Sequence, residues 1–311
     1  MIDWDFKLSL VKRVFKYTMI FLVLCECNGI EEKDLTVQNI EIFKSTPAWE
    51  AALYIEEDKT IRLKNILSEN SLLVNYQEPL FGTTLLMRAI STEKYDAVKI
   101  LLEYGANPDI ISKTGTTALF RAVSYSWDDT NPNKDDRFVK ILLDYDADPN
   151  LSYCSPTEDE VISPIECGTS PLMHATSRGI NKVKLLVEYG ADINYRTKTQ
   201  RTAAIDALLM QSVDVAYYLI VEKKAEVSQP FYFYNVENDT VINYKKPHYP
   251  IELLENWLFE LGSEKHKKKL AIIKEFEKQG QDYWSMGKHP KTVERIKKIY
   301  PNNWKEYLNR Y

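Results

Sequence analysis

Gly82-Thr-Thr-Leu-Leu-Met-Arg-Ala89 is the stretch that decides the fold, because close variants of it recur along the chain. The other copies are Gly115-Thr-Thr-Ala-Leu-Phe-Arg-Ala122, Gly168-Thr-Ser-Pro-Leu-Met-His-Ala175 and Gln200-Arg-Thr-Ala-Ala-Ile-Asp-Ala207. Gly82 and Gly115 are 33 residues apart, and Gly168 and Gln200 are 32 residues apart. A fixed period in this range predicts an architecture of stacked repeats.

A second phrase follows each copy of the first. Its four copies are Leu102-Glu-Tyr-Gly-Ala-Asn-Pro-Asp109, Leu143-Asp-Tyr-Asp-Ala-Asp-Pro-Asn150, Val187-Glu-Tyr-Gly-Ala-Asp-Ile-Asn194 and a weakened Val221-Glu-Lys-Lys-Ala-Glu-Val227. Gly105 and Gly190 fit a helix C-terminus that requires positive φ. Asp146 and Lys224 replace this glycine in the other two copies, which predicts some backbone strain there.

The first phrase has the residues that a helix start requires. Thr84, Thr117, Ser170 and Thr202 stand just before the predicted helices, where a hydroxyl can accept hydrogen bonds from free backbone N–H groups. Pro171 suits the first helical turn, because its missing N–H is not needed there. The alanine that ends each copy leaves room for a neighbouring helix to approach.

The two linked phrases together resemble the ankyrin repeat family, whose repeats combine a G-x-T-P-L-x-x-A helix start with an L-L-x-x-G-A ending. The resemblance covers residues 46–282, as about six repeats including a degenerate copy at each end. It implies an all-α repeat solenoid, in which an ankyrin helix-turn-helix stack carries β-hairpin fingers and capping helices. Residues 283–311 are predicted to add a C-terminal capping helix.

The first 27 residues have the order of a lipoprotein-like signal peptide. Basic residues up to Lys16 precede a short apolar run from Met19 to Leu24, too short for a confident transmembrane helix. Leu22-Val23-Leu24-Cys25 resembles a bacterial lipobox and predicts lipidation of Cys25, although Leu24 departs from the usual small residue. Simple cleavage and a retained apolar helix are the alternatives. Residues 28–45 are predicted to be a linker, and the protein is expected in the bacterial periplasm or anchored to the outer membrane.

Composition and motifs exclude several other functions. The net charge of −5 disfavours nucleic-acid binding. The chain has no glycine-rich phosphate loop, nucleophile elbow or paired-histidine motif, so we expect no catalysis, no cofactor and no metal. The basic run from Lys265 to Lys269 is predicted to be the solvated face of a helix. Cys154 and Cys167 form either a disulfide or two unrelated thiols.

Three insertions interrupt the repeats, at residues 125–136, 151–167 and 231–244, and alternating aromatics predict a β-hairpin in the third. Partners of ankyrin proteins generally dock on the concave surface, which consists of the finger tips and the exposed side of the first helix of each repeat. By that resemblance, and because insertions are free to vary, the expected partner contacts are Phe81, Lys113, Thr116, Tyr125, Trp127, Tyr153, Arg178, Lys198, Arg201, Tyr232 and Tyr234.

These features predict a non-enzymatic, monomeric protein–protein interaction module in the bacterial envelope. One specific form of this hypothesis is an inhibitor or immunity-type protein that binds a toxin or an envelope enzyme. The alternatives are a scaffold lipoprotein that organises an envelope complex, and a secreted effector that binds a host protein. The fold itself does not name the partner.

Overall fold

The computed structural model of the chain describes residues 35–124, 136–154, 165–233, 236–237, 240–241 and 246–311. Most helices in these ranges come in pairs. The pairs are α1 Trp49–Glu56 with α2 Thr60–Glu69, α3 Leu85–Ser91 with α4 Tyr95–Glu103, α5 Ala118–Val123 with α6 Arg137–Asp144, α7 Pro171–Ala175 with α8 Ile180–Glu188, and α9 Ala203–Leu209 with α10 Val213–Tyr217. A π-helix, Tyr218–Glu222, extends α10.

A last, degenerate pair consists of the 3-10 helix Pro250–Asn256 and α11 Glu264–Lys278. The first helix of each pair packs against the first helices of its neighbours, from α1 through α9 to residues 250–256. The hydrophobic core lies between the helices and runs through all the pairs without a break. The predicted all-α repeat solenoid is therefore confirmed.

The loops between pairs form the fingers. Isolated antiparallel bridges join Gln77 to Thr84 and Tyr153 to Thr169. In the third insertion, β1 Val236–Glu237 pairs antiparallel with β2 Thr240–Val241, which confirms the predicted hairpin.

Adjacent fingers also hydrogen-bond to each other. The backbone N–H of Lys113 donates to the carbonyl of Phe81 at 2.8 Å. Gly82 lies in this contact with φ at +65°, and a Cβ at this position would be 3.0 Å from the Lys113 nitrogen. The close approach and the positive φ both explain why glycine stands at this position.

The predicted helix caps are present. The hydroxyls of Thr84, Thr117, Ser170 and Thr202 each accept a hydrogen bond from the backbone N–H three residues later, at 3.1–3.3 Å. Each contact satisfies one free donor at a helix N-terminus. The cap positions were readable from the sequence because they depend only on local chemistry.

The predicted positive-φ positions are confirmed as well. Gly105 and Gly190 have φ values of +87° and +91°, and Asp146 and Lys224 adopt +61° and +60° at the matching positions. The stack therefore imposes one backbone geometry on all four repeats, including the two without glycine.

A ladder of Asn and Asp side chains fixes the register between repeats. Asn75, Asp109, Asn150 and Asn194 each accept a hydrogen bond from a backbone N–H of the next repeat, at 2.7–2.9 Å. Asn150 also donates to the carbonyl of Gly190 at 3.2 Å. Each of these side chains thus joins two neighbouring repeats.

Replacing Asn150 by alanine should lower the free energy of unfolding by about 1 kcal/mol, because two inter-repeat hydrogen bonds are lost at an exposed site. Urea denaturation followed by circular dichroism measures the change. Asn65, exposed on α2, is the control, and its replacement by alanine should change stability by less than about 0.5 kcal/mol. Equal effects at both positions would mean that the ladder does not stabilise the stack.

Two of the predicted terminal segments differ from the prediction in their secondary structure. Within the predicted linker 28–45, a 3-10 helix spans Ile40–Phe43 and buries Ile42 and Phe43 against the core, because these side chains are apolar. The predicted single capping helix of 283–311 is two helices, α12 Pro290–Ile299 and α13 Trp304–Arg310. Pro301 disfavours the helical conformation at the residue before it, which explains the break.

The basic run of residues 265–269 also differs from its prediction as a solvated helix face. Within α11, Lys269 is fully buried and His266 is nearly so. The Lys269 amine donates at 3.1 Å both to the carbonyl of Trp257 and to the hydroxyl of Tyr283. It also lies 3.7 Å from the centre of the Tyr311 ring. This lysine therefore belongs to the core of the C-terminal cap.

Candidate functional site

Three rings lie together where α5 and α7 meet the fingers. Phe120 stacks on Tyr153 with ring centres 5.4 Å apart, and on His174 with ring centres 4.6 Å apart. The hydroxyl of Ser124 lies 3.2 Å from Nε2 of His174. We call Phe120, Tyr153 and His174 the aromatic stack. Tyr153 and His174 are half-buried, so the stack reaches the surface.

The electrostatic surroundings of His174 keep its ring neutral. Burial, together with the positive charges of Arg178 and Lys182, lowers the pKa of His174 to about 4. At neutral pH the ring therefore carries no charge, and it serves as a flat polar surface and a hydrogen-bonding group.

Arg121 follows Phe120 in α5 and contacts hydroxyl groups. Its guanidinium donates to Thr116 at 3.2 Å, to Thr83 at 3.4 Å and to Ser91 at 3.5 Å. Burial lowers the pKa of Arg121 to about 10, while the negative charge of Glu78 acts in the opposite direction. The group is still a cation at neutral pH, and its contacts with Thr83 and Ser91 place it toward the preceding repeat, next in sequence to Phe120 of the aromatic stack.

A second polar cluster occupies the next repeat. Arg201 donates to the carboxylate of Asp206 at 2.7 Å and lies 3.9 Å from Glu166. Burial and the charge of Glu166 raise the pKa of Asp206 to about 6, although Arg201 opposes this. Glu166 also accepts hydrogen bonds from the backbone and hydroxyl of Thr199. The positive charge of Arg201 is thus paired with two carboxyl groups of the fold, those of Asp206 and Glu166.

Cys154 and Cys167 are joined as a disulfide in the structure. Their chain neighbours belong to the two features above. Tyr153 is part of the aromatic stack, and Glu166 contacts Arg201. The bond therefore connects the two ends of the second insertion at positions already fixed to the repeats.

The structure separates the predicted partner contacts into groups. Thr116, Tyr153 and Arg178 surround α5 and α7. Phe81 packs partly against the core, and Lys113 is exposed while its amine contacts the carbonyl of Pro79 at 2.5 Å. Three more lie on the following fingers, where Lys198 is exposed and Arg201 and Tyr232 are half-buried. Tyr125, Trp127, Tyr234 and the predicted lipidation residue Cys25 lie outside the described residues.

Sequence reasoning missed Phe120, Arg121 and His174 as candidates. A signal for two of them was present, because the position before the last alanine of the first phrase is polar in every copy while the residues on both sides of it are apolar. It holds Arg88, Arg121, His174 and Asp206 in the four copies. A polar residue between two apolar ones marks a position that is not required for apolar packing between repeats.

The described part of the chain was also compared with the requirements of metal sites and membrane-spanning helices. No group of three or more histidine, cysteine, aspartate or glutamate side chains there is placed to hold a metal ion. Within the same ranges, every helix is too short or too polar to cross a bilayer.

Paired helices, capped by hydroxyls and joined by interlocking fingers, define a repeat protein of the interaction class. The family model described as "Ankyrin repeats" matches residues 49–153 and 131–230, which together make up more than half of the chain. The chain therefore belongs to the ankyrin repeat family. Ankyrin repeats generally bind other proteins.

The curated relatives come from a bird and a bird virus. The chain is 27% identical over 161 residues to the nuclear factor NF-kappa-B p105 subunit of Gallus gallus, covering 51% of this chain and 15% of that protein. It is 31% identical over 137 residues to the putative ankyrin repeat protein FPV031 of fowlpox virus, covering 44% of this chain and 36% of that protein. The similarity thus spans only a minor part of each relative.

Proposed function

We propose that this chain is a non-enzymatic binding module that holds one protein partner on its concave surface, at the aromatic stack and Arg121. The observation that carries this proposal is the composition of the site. Half-buried tyrosine, histidine and arginine side chains lie together at positions that repeat stacking leaves free. Aromatic residues and arginine supply most of the binding energy in protein interfaces.

The rigidity of the stack supports the same function. Tyr153 is fixed by a backbone hydrogen bond to Thr169 at 2.8 Å and by another from Gly168 at 2.7 Å. Its ring rests on Phe120, which is itself buried. A ring held in place before binding loses little conformational entropy when a partner arrives, and this favours affinity.

Replacing Tyr153 by alanine should weaken retention of the partner at least tenfold, because a preorganised aromatic contact is lost. The measurement is quantitative affinity capture with the full-length chain as bait, followed by mass spectrometry. The control is Tyr104→Ala, since Tyr104 is an exposed tyrosine at the end of α4, outside the aromatic stack. If both variants retain the same partner as well as the wild type does, the concave surface is not the binding site.

We further propose that the protein is exported and tethered through Cys25 in a bacterial envelope, where it acts as an inhibitor or immunity-type binder and remains monomeric. The basic-then-apolar order of residues 1–27 supports export. The Cys154–Cys167 disulfide is typical of an oxidising compartment and supports the same location. The relatives are eukaryotic and poxviral, so the bacterial source depends on the leader alone.

Metabolic labelling with palmitate tests the tether. The wild-type chain should incorporate label in the membrane fraction, and Cys25→Ser should not, because lipidation requires the thiol. Cys27→Ser is the matched control, since Glu26 precedes that residue and disfavours modification there. Unlabelled protein, or label that persists in Cys25→Ser, would overturn the lipoprotein proposal without affecting the binding proposal.

A further inference from the structure

Three arginines on or just before the first helices of their repeats, Arg88, Arg121 and Arg201, differ in the groups that they contact. Arg88 of α3 forms an ion pair with Glu56 at 2.6 Å. Arg201, just before α9, forms one with Asp206. Arg121 of α5 contacts three hydroxyl oxygens instead, and no carboxylate of the described residues lies within 4.0 Å of it.

Glu78 is the carboxylate whose negative charge acts on Arg121, but it is already hydrogen-bonded within its own finger. Its two oxygens accept hydrogen bonds from the backbone N–H groups of Leu80, Phe81 and Thr83, at 2.7–3.1 Å. These contacts hold the finger in shape and leave Glu78 buried and acting on Arg121 only at a distance. Burial therefore removes water from the Arg121 guanidinium, and the charge of Glu78 only partly offsets the effect of burial on its pKa.

Other cations lie near the aromatic stack and on the neighbouring finger. Arg178 and Lys182 lie close enough to His174 for their charges to lower its pKa. Lys113, on the finger before α5, is exposed. Lys182, however, is buried, and its amine donates to the carbonyls of Ala122, Val123 and Ser124 at the end of α5, so its charge is used within the fold. A desolvated guanidinium such as that of Arg121 interacts strongly with a carboxylate, through charge-assisted hydrogen bonds.

We infer that Arg121 is a subsite for a carboxylate of the partner, and that the partner presents an acidic segment whose Asp or Glu side chain binds beside the aromatic stack. The hydroxyls of Thr116 and Ser91 flank the guanidinium and can donate to the same carboxylate. Tyr153 then packs against the apolar part of the segment. This inference depends on the proposed function, because it specifies the chemistry of the partner at the same surface.

The test is selection of peptides from a random twelve-residue display library on the immobilised full-length chain. Selected peptides are synthesised with a fluorescent label, and their dissociation constants are measured by anisotropy at low and high salt. The variants are Arg121→Gln, Arg121→Lys and Tyr153→Ala. The charge-matched control is Arg62→Gln, because Arg62 is exposed on α2 and far along the chain from the stack. Circular dichroism shows that each variant is folded.

We expect the selected peptides to be enriched in Asp and Glu and to bind more weakly as salt increases. Arg121→Gln should weaken them at least tenfold and Arg121→Lys less, while Arg62→Gln should leave them unchanged. Peptides that lose affinity in Tyr153→Ala but show no acidic enrichment would overturn this inference and leave the proposed function intact. A selection that yields no specific peptide, or only peptides insensitive to both Tyr153→Ala and Arg121→Gln, would overturn both.

Discussion

Replacing Trp257 by alanine should lower the free energy of unfolding by about 3–5 kcal/mol, as expected for removal of a large buried aromatic side chain. Trp257 has no exposed surface and follows the 3-10 helix that begins the last pair. Its indole N–H donates to the carbonyl of Leu208 at 3.2 Å. It also contacts the ring of Phe259, with ring centres 5.8 Å apart. The substitution would thus open a cavity at the junction of α9 and the C-terminal cap.

Urea denaturation of both the wild type and the variant, followed by circular dichroism, measures this loss. Trp284→Ala is the control, because Trp284 is 44% exposed and its replacement should cost far less. Since the cavity lies at a junction, we also expect hydrogen exchange in α11 to accelerate before exchange in α5. A loss below about 1 kcal/mol, or equal losses for the two tryptophans, would show that Trp257 does not hold the cap on the repeats.

Replacing Lys269 by methionine should stabilise the protein near neutral pH, although it removes two hydrogen bonds. Burial, together with the charge of Lys288, lowers the pKa of Lys269 to about 6, while Glu255 acts in the opposite direction. At pH 7, folding must therefore remove a proton that the unfolded chain holds, a cost of several kcal/mol. The loss of the contacts to Trp257 and Tyr283 costs about 2 kcal/mol. We expect a net gain of about 1–3 kcal/mol.

The direction of the pH dependence follows from the same pKa. Between about pH 6 and the unfolded value of 10.5, the unfolded state binds one more proton at Lys269 than the folded state does. The free energy of unfolding should therefore rise with pH in this window, by up to about 1.4 kcal/mol per unit from this residue. Burial raises the pKa of Tyr283, Tyr307 and Tyr311, so stability should fall again above about pH 10.

Urea denaturation at several pH values compares the wild type with Lys269→Met. The variant should lack the rise between pH 6 and 9 and should keep the fall at higher pH, because its tyrosines are unchanged. Lys267→Met is the matched control, since Lys267 lies on the exposed side of the same helix. If the profiles of the wild type and Lys269→Met are parallel, Lys269 keeps its proton in the folded protein, and its burial does not cause the pH dependence.

The repeat part of the fold was predictable because its determinants are local and recur. Hydroxyl caps such as Thr84 depend only on neighbouring residues, and the positive φ of Asp146 follows from its alignment with Gly105 and Gly190 in the other copies. Four copies of the same phrase make each assignment stronger. The sequence also predicted the hairpin of the third insertion, because alternating aromatics and a turn are local signals.

The C-terminal cap could not be predicted in the same way. Lys269 stands in a basic run, and its periodicity suggested a solvated face. Only the tertiary contacts with Trp257, Tyr283 and Tyr311 make a buried position tolerable. Burial of a lysine depends on such long-range partners, which one sequence does not reveal.

The candidate site was predictable in part. The positions of Thr116 and Arg178 within the ankyrin repeat indicated that they contact a partner. The location of Tyr153 in the second insertion indicated the same for that residue. The stacking of Phe120 on Tyr153 and His174 joins residues that are 33 and 54 positions apart, and no local pattern reports such contacts. For the same reason, the sequence did not show that Arg201 is neutralised by Asp206 while Arg121 contacts only hydroxyls.

Hydrogen–deuterium exchange of the complex between the full-length chain and its captured partner tests the central claim most directly. The claim is that this ankyrin repeat protein binds its partner on the concave surface at the aromatic stack. We predict slower exchange in peptides that contain residues 116–121 and 171–178, and unchanged exchange in α4 and α8. Protection confined to α4 and α8, with residues 116–121 unaffected, would contradict the claim.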